Sequence, residues 1–259
     1  MALWPEPLTR AYAACEALAR SHYENFPVAS QLLPAPMRPH VAAVYAFARV
    51  ADDIADEGSA PASDRLAQLN AWRRRLHAAV TVESAEGAPH EHEDLIVAAL
   101  AHSIRSLDLP MALFDDLVSA FGQDTMTTRY ASWSDVFDYC RRSANPVGRL
   151  VLRIAGHRDE ALDRSSDALC TALQLANFWQ DFGRQCVAVT REQFAAGRAV
   201  CDGVRGRLRY ELRLTWLGGQ RILERVDRAR RELLTYRPTL GGGDVPVILW
   251  RALRWSAHV

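Results

Sequence analysis

The chain has 259 residues, 49% of them apolar, with 31 basic and 31 acidic side chains and no formal net charge at neutral pH. That composition supplies a well-buried core, and a zero net charge argues against a nucleic-acid binder, whose affinity comes largely from surplus cationic contacts. All 31 basic residues are arginine, so Schiff-base chemistry, a phosphate-loop lysine and the kinase strand lysine are excluded.

Apolar residues recur at three- and four-residue spacings and alternating segments are scarce, so one all-α domain over residues 1–259 is expected. The first helix reads as Leu8–Arg20. Pro5, Glu6 and Arg10 interrupt the segment where a secretory signal would need an unbroken apolar stretch. The second helix, Pro39–Glu57, holds the longest apolar run, Val41–Ala48, far short of the ~20 residues of a membrane span. A cytoplasmic protein is therefore expected.

The second helix also carries the first chemistry. Asp52 and Asp56 lie four apart, on one face and about 6 Å apart along the axis. Arg49 precedes Asp52 by three positions and Asp53 by four, with Tyr45 one turn further back. Val50, Ala51, Ile54 and Ala55 fill the other faces, so the helix reads as buried nearly all round. Stacked like charges there need a neutralising partner. A divalent cation such as Mg²⁺ supplies one, and arginine pairing at a solvated helix end supplies another. Both remain open from these residues alone.

Ser63–Val80 and Glu93–Leu107 follow, separated by the turn signal Glu86-Gly87-Ala88-Pro89. Arg73-Arg74-Arg75 reads as a solvated face. The stretch from His90 through His92 to Asp94 resembles a metal cluster on paper. It lies at a helix start, where acidic side chains favour the dipole, and a solvated loop is the simpler reading. Pro110–Gly122, Ser134–Arg142 and Pro146–Ala155 continue the helical pattern. The next helix, Glu160–Gly183, places Gln174, Asn177 and Asp181 at i, i+3 and i+7, a polar stripe among Leu, Phe and Trp. Such a stripe is either a hydrogen-bond network between helices or one wall of a metal–diphosphate cluster. Arg191–Gly197, Arg205–Tyr236 and Val245–Ala257 complete the series. The five cysteines are widely spaced, with no CxxC pair, and read as buried thiols in a reducing compartment.

Several of these segments together resemble the squalene/phytoene synthase family, the head-to-head trans-isoprenyl synthases. The resemblance rests on the run from His22 through Asn25 and Pro27 to Ser30, the Tyr45–Asp56 stretch, and Thr128-Arg129-Tyr130. It continues through Tyr139-Cys140-Arg141-Arg142-Ser143-Ala144-Asn145-Pro146-Val147-Gly148-Arg149, then Gln174 to Asp181, and Leu217 to Leu223. The branch-specific segments are closest to the bacterial, hydroxysqualene-forming members. The resemblance implies an all-α isoprenoid-synthase bundle around a central cavity, with Mg²⁺ as cofactor. It places Asp52, Asp53 and Asp56 in the first aspartate-rich motif and Asp181 in the second, with Asn177 among the metal ligands. Arg49, Gln174 and Asn177 match positions that hold the diphosphate. His22, Tyr45 and Tyr139 match cavity positions near the substrate, and Arg149 is a further diphosphate candidate. Asp52, Asp56, Arg49 and Tyr139 are the expected catalytic set. Phe26, Phe47, Phe178 and Trp179 are candidates for the cavity lining.

The implied reaction ionises presqualene diphosphate and captures the rearranged cation with water. Head-to-head condensation of farnesyl diphosphate or longer prenyl diphosphates uses the same motifs. The implied partners are a prenyl diphosphate, companion enzymes of squalene synthesis and a weak peripheral membrane contact, with no nucleic acid. One stretch departs from the family pattern. Asp181 is followed at i+4 by Gln185 rather than Asp, and Cys186–Thr190 reads as a shortened loop beside the metal site. An altered but active synthase and a divergent, non-catalytic partner or scaffold are both compatible with that departure.

Overall fold

The computed structural model describes residues 4–21, 33–57, 59–81, 92–127, 129–178, 184–229 and 239–255. Among these residues the secondary structure is helical, with no strand. The chain divides into two compact units, Met1–His157 and Arg158–Val259.

The first unit contains α1 (Glu6–Ser21), α2 (Arg38–Asp56), α3 (Ala62–Thr81), α4 (His92–Leu107), α5 (Met111–Asp124), α6 (Trp133–Ser143) and α7 (Asn145–Ile154). Helix α2 is its centre and packs on α1, α3, α4, α5 and α7. Its buried residues are mostly small: Ala42, Ala43, Ala46, Ala51 and Ala55 beside Val41, Val44 and Phe47. Small side chains let several neighbours approach one helix closely, which suits a helix meant to be surrounded. Phe47 is fully buried, stacks on Trp72 at 5.3 Å and meets Phe114 edge-on at 5.9 Å. The Trp72 Nε1–H donates to the Phe47 carbonyl at 3.2 Å, so the indole's one polar atom is satisfied. Phe47 is therefore a core residue rather than a cavity wall.

Helix α6 begins with a capping box. Ser132 Oγ accepts from the Asp135 amide at 3.3 Å, and the Asp135 carboxylate accepts from the Ser132 amide at 3.0 Å. It ends where Asn145-Pro146 opens α7. Proline is tolerated in a first helical turn because its missing N–H would find no partner there. These two signals set the register of α6, and with it the position of Tyr139.

The second unit contains α8 (Glu160–Phe178), α9 (Arg184–Gly203), α10 (Gly206–Ala229) and α11 (Asp244–Leu253). Helices α8 and α9 form its tightest pair. A Cβ on Gly197 would lie 2.6 Å from the Leu169 Cα, so the two backbones are in direct contact there. Asp244 anchors α11: it accepts from the Gly241 amide at 2.8 Å and from Arg221 Nε at 2.9 Å, and it pairs with Arg225 at 2.6 Å. Those partners hold its carboxyl down to about 2, the backbone amide first.

The stretch Cys186–Thr190 is not a loop. It forms the early turns of α9, and Val187 and Thr190 are buried. Its run of Val and Thr has low helix propensity, which makes it read as irregular. No Gly or Pro interrupts the chain between Arg184 and Ala196, and burial of one face decides the outcome. Among the described residues no helix is long and apolar enough to cross a membrane.

Candidate active site

Helix α2 presents Tyr45, Arg49, Asp52, Asp53 and Asp56 over its last three turns. Arg49 gathers the negative charge. Its Nη1 donates to Asp52 Oδ2 at 3.2 Å, and its Nη2 lies 2.5 Å from Asp53 Oδ1 and 3.5 Å from Glu57 Oε1. The Asp53 approach is an ion pair without hydrogen-bond alignment, and the Arg49 Nε–H is buried with no acceptor. One guanidinium facing three carboxylates leaves the cluster net negative, a charge that an added cation offsets. Burial raises the Asp52 carboxyl above the usual range, and Asp56 raises it further while Arg49 opposes both. Burial also raises the Tyr45 phenol, against the pull of Arg49.

Packing of α5 and α6 brings a second group into the same unit. Tyr139 Oη donates to Asp124 Oδ2 at 2.8 Å, and the Tyr130 ring lies 5.5 Å from the Tyr139 ring at a tilt of 50°. Burial pushes the Asp124 carboxyl up to about 6; Tyr139 opposes this, and the fields of Asp56 and Asp52 add to it. The carboxylates of α2 and Asp124 therefore share one electrostatic neighbourhood. Burial and Asp124 raise the Tyr139 phenol as well, and burial takes Tyr130 to about 12. An ordered polar fringe holds this group. Arg142 donates to Asp138 at 2.8 Å, to Ser119 at 3.1 Å and to Gln123 at 2.5 Å, and Gln123 in turn hydrogen-bonds Tyr130.

Of the residues the sequence singles out, the structure thus clusters Tyr45, Arg49, Asp52, Asp53 and Asp56 on α2. Tyr139 is joined to the cluster's field through Asp124. Arg149 lies half-buried on α7 of the same unit. Gln174 and Asn177 lie on α8 of the second unit, three residues apart and so on neighbouring positions of one face; Gln174 is half-buried and Asn177 exposed. His22, Asp181, Phe26 and Trp179 fall outside the described residues. Glu93 and Asp94 of the acidic stretch pair with Arg75, which accords with a solvated helix start. Arg251 pairs with Glu224 at 2.7 Å, and Arg254 stacks over Trp250.

Sequence reasoning does not single out Asp124. It stands alone at the end of α5, with no periodic acidic partner, and only helix packing reveals its tie to Tyr139. Its place six residues before Tyr130 in the matched stretch is the one signal present. Among the described residues no three His, Cys, Asp or Glu side chains form a metal-binding group. The donor set nevertheless fits Mg²⁺. Asp56 raises the proton affinity of Asp52, and both raise that of Asp124, a repulsion that a hard divalent cation relieves.

The profile of the family described as squalene/phytoene synthase matches residues 19–188, about two thirds of the chain. The chain belongs to this family. Among similar proteins, the hydroxysqualene synthase of Zymomonas mobilis is 43% identical over 162 residues, covering 62% of this chain and 51% of its own length. The phytoene synthase of Mycobacterium bovis is 30% identical over 191 residues, covering 74% of this chain and 57% of its own. The chain thus spans about half the length of these curated relatives. Of solved structures, squalene synthase HpnC from Alicyclobacillus acidocaldarius superposes with a TM-score of 0.76 at 35% identity. That match covers 89% of this chain and 97% of the other. A dehydrosqualene synthase superposes at 0.72 with 18% identity, which speaks for the fold alone. The all-α isoprenoid-synthase fold expected of a squalene/phytoene synthase family member is the one observed.

Proposed function

We propose that the protein is a hydroxysqualene synthase that ionises presqualene diphosphate and lets water capture the rearranged cation. The observation that carries this reading is the Arg49 cluster on α2: one guanidinium with an unspent buried donor among Asp52, Asp53 and Glu57. The hydroxysqualene synthases among the relatives support the choice of reaction.

Arg49 binds the diphosphate and stabilises the charge that develops on the leaving oxygen, as a preorganised cation does in a site shielded from water. Asp52, Asp56 and Asp53 would hold Mg²⁺, which would supply Lewis-acid charge neutralisation for the departing diphosphate. Tyr45 and Tyr139 border the reacting part of the substrate, where aromatic faces tolerate a cation. The quenching water delivers oxygen without a reductant, so the reaction requires no nicotinamide. The substrate comes from companion enzymes of squalene synthesis.

A second reading, condensation of prenyl diphosphates to a cyclopropyl diphosphate, draws support from the phytoene synthases matched over 191 residues. The deciding experiment is a product assay with purified protein, with Mg²⁺ or EDTA, offered presqualene diphosphate in one arm and farnesyl diphosphate in the other. Mass spectrometry of the organic extract should show hydroxysqualene from the first arm and only with Mg²⁺. Presqualene diphosphate from the farnesyl arm would move the assignment to condensation. A folded protein inert in both arms would sink the catalytic reading in favour of a partner or scaffold role.

A further inference from the structure

Helix α11 shows water its apolar half. At 3.6 residues per turn, Val245, Leu249, Leu253, Pro246, Trp250 and Arg254 follow one another around one side of it. All six are exposed, Val245 at 53%, Leu249 at 49%, Trp250 at 54% and Leu253 at 86%. The other polar residues face inward. Asp244 is 1% exposed and pairs with Arg221 and Arg225 of α10, and Arg251 pairs with Glu224. A surface helix ordinarily turns its polar half to water. The outward half of α11 carries one polar side chain, Arg254, at its edge, with the guanidinium 4.3 Å from the centre of the Trp250 ring. No carboxylate among the described residues pairs with Arg254, and the sequence from Val245 to Val259 holds no Asp or Glu.

The size and charge of this face decide what covers it. A helix of 10 residues offers a footprint of roughly 15 by 10 Å. That is small beside the about 800 Å² that each partner gives to a stable protein interface. A lipid surface asks for no complementary patch, because it takes large apolar side chains one by one into the boundary between headgroups and acyl chains. The edge of the face fits the same boundary. An indole rests there with its apolar body inward, and a guanidinium beside it reaches the phosphates while its stem stays with the apolar groups. A face whose one charge is positive, on a stretch without acids, complements anionic headgroups. The helix is half the ~20 residues of a membrane span, so it lies along the surface. We propose that α11 is an interfacial helix that lays Val245, Leu249, Trp250 and Leu253 into an anionic phospholipid surface, with Arg254 at the level of the phosphates. Lipid contact of this kind depends on neither the reaction nor the substrate proposed above.

The test is flotation of the full chain with vesicles of phosphatidylglycerol or of phosphatidylcholine, with helicity and melting temperature checked for each variant. The wild type should partition into phosphatidylglycerol about tenfold better than into phosphatidylcholine, and high salt should erase the difference. Leu253→Asp changes a side chain with little packing to lose, and it should weaken binding to phosphatidylglycerol about tenfold or more. Arg254→Glu should abolish the preference between the two lipids. Met126→Ser alters another exposed apolar side chain, in the first unit, and should bind as the wild type does. A wild type that floats with neither vesicle, or a folded Leu253→Asp that binds as well as the wild type, overturns the proposal. So does a Met126→Ser that loses as much as Leu253→Asp, which would mean unspecific adhesion. A dimer in sedimentation velocity that Leu253→Asp dissociates also overturns it, since a second copy then covers the face. Lipid partition is read without turnover, so a protein inert in the product assay would sink the functional reading and leave this test intact.

Discussion

Arg49 stands one helical turn before Asp53, and its Nη2 reaches within 2.5 Å of that carboxylate while the same guanidinium hydrogen-bonds Asp52. The cation on α2 is thus the counterion of its own helix's acidic end. Removing it leaves Asp52, Asp53 and Glu57 facing one another, which raises their proton affinity and destabilises the ionised cluster. Arg49→Gln should cost about 1 kcal/mol at pH 7, since these groups are partly exposed and solvent screens the loss. Urea titrations at pH 7 and pH 4 check this. The cost should shrink at the lower pH as the carboxylates protonate, and an equal cost at both would show that packing, not charge, holds Arg49 in place.

Asp124 makes the opposite contribution to stability. Its carboxyl sits at about 6 in the fold, against a usual value of 3.8. The folded state therefore holds that proton more tightly than the unfolded chain, and the ionised form weakens the fold above about pH 6. Without metal, this group's contribution should improve as pH falls from 7 toward 4. Asp124→Asn should stabilise the protein at pH 7 and flatten that part of the profile. Adding Mg²⁺ should raise the melting temperature at pH 7 and lose its effect as pH falls below about 6. Differential scanning fluorimetry across pH, with and without Mg²⁺, reads all three. Metal-independent melting at pH 7 would count against a cation in this carboxylate group.

Gly197 gives the sharpest packing prediction. Any Cβ there meets the Leu169 backbone at 2.6 Å, and backbone does not step aside as a flexible side chain does. Gly197→Ala should force α8 and α9 apart and cost about 1–3 kcal/mol, the range of overpacked cores. Gly218, whose added Cβ would find its nearest neighbour at an ordinary 3.5 Å, is the control, and Gly218→Ala should be neutral or mildly stabilising through helix propensity. Equal unfolding midpoints for the two variants would refute the close contact.

How far the sequence reaches is visible in the same residues. Helical spacing places α1 to α8 within a few residues of their observed bounds, because each buries an apolar stripe that spacing alone exposes. The Asp52–Asp56 register is legible for the same reason: it is local, fixed by one turn of helix. Asp124 is not legible that way, because its partner Tyr139 comes from another helix and depends on how α5 packs on α6. The start of α9 is misread for a different reason. Val187, Val189 and Thr190 have the propensity of a strand or loop, and only the burial of Val187 and Thr190 turns them into helix. Phe47 shows the converse limit: spacing marks it as inward-facing, but whether inward means core or cavity is decided by Trp72 and Phe114.

The last prediction concerns a buried polar knot that the proposed chemistry does not use. Tyr12 Oη meets His102 Nδ1 at 2.8 Å, Ser103 Oγ at 2.9 Å and His40 Nδ1 at 3.2 Å; Ser103 Oγ meets His40 Nδ1 at 2.9 Å and donates to the Ala99 carbonyl at 3.0 Å. Four hydrogens serve these five contacts. Ser103 gives its proton to Ala99, Tyr12 gives its proton to Ser103, His102 donates from Nδ1 to Tyr12, and the His40 Nδ1–H is shared between Tyr12 and Ser103. Trp4 closes the knot by stacking on Tyr12 at 4.4 Å, so α1, α2 and α4 are tied at one point. Tyr12→Phe removes the shared oxygen and strips partners from Ser103 and His102, and it should cost about 1–3 kcal/mol. The histidines set the pH dependence. Burial lowers both, His102 adding to the shift of His40 and Arg105 to that of His102. Their folded pKa values lie below the unfolded value of 6.5, so the neutral pair stabilises the fold above that pH, and the contribution is lost as pH falls through the folded values. Replacing both with Gln should therefore lower stability at pH 7.5 but flatten the decline between pH 6.5 and 5. Denaturant unfolding of wild type and double variant at pH 7.5, 6.5, 5.5 and 5.0 measures the difference, and parallel profiles would show that neither histidine is held neutral by the fold.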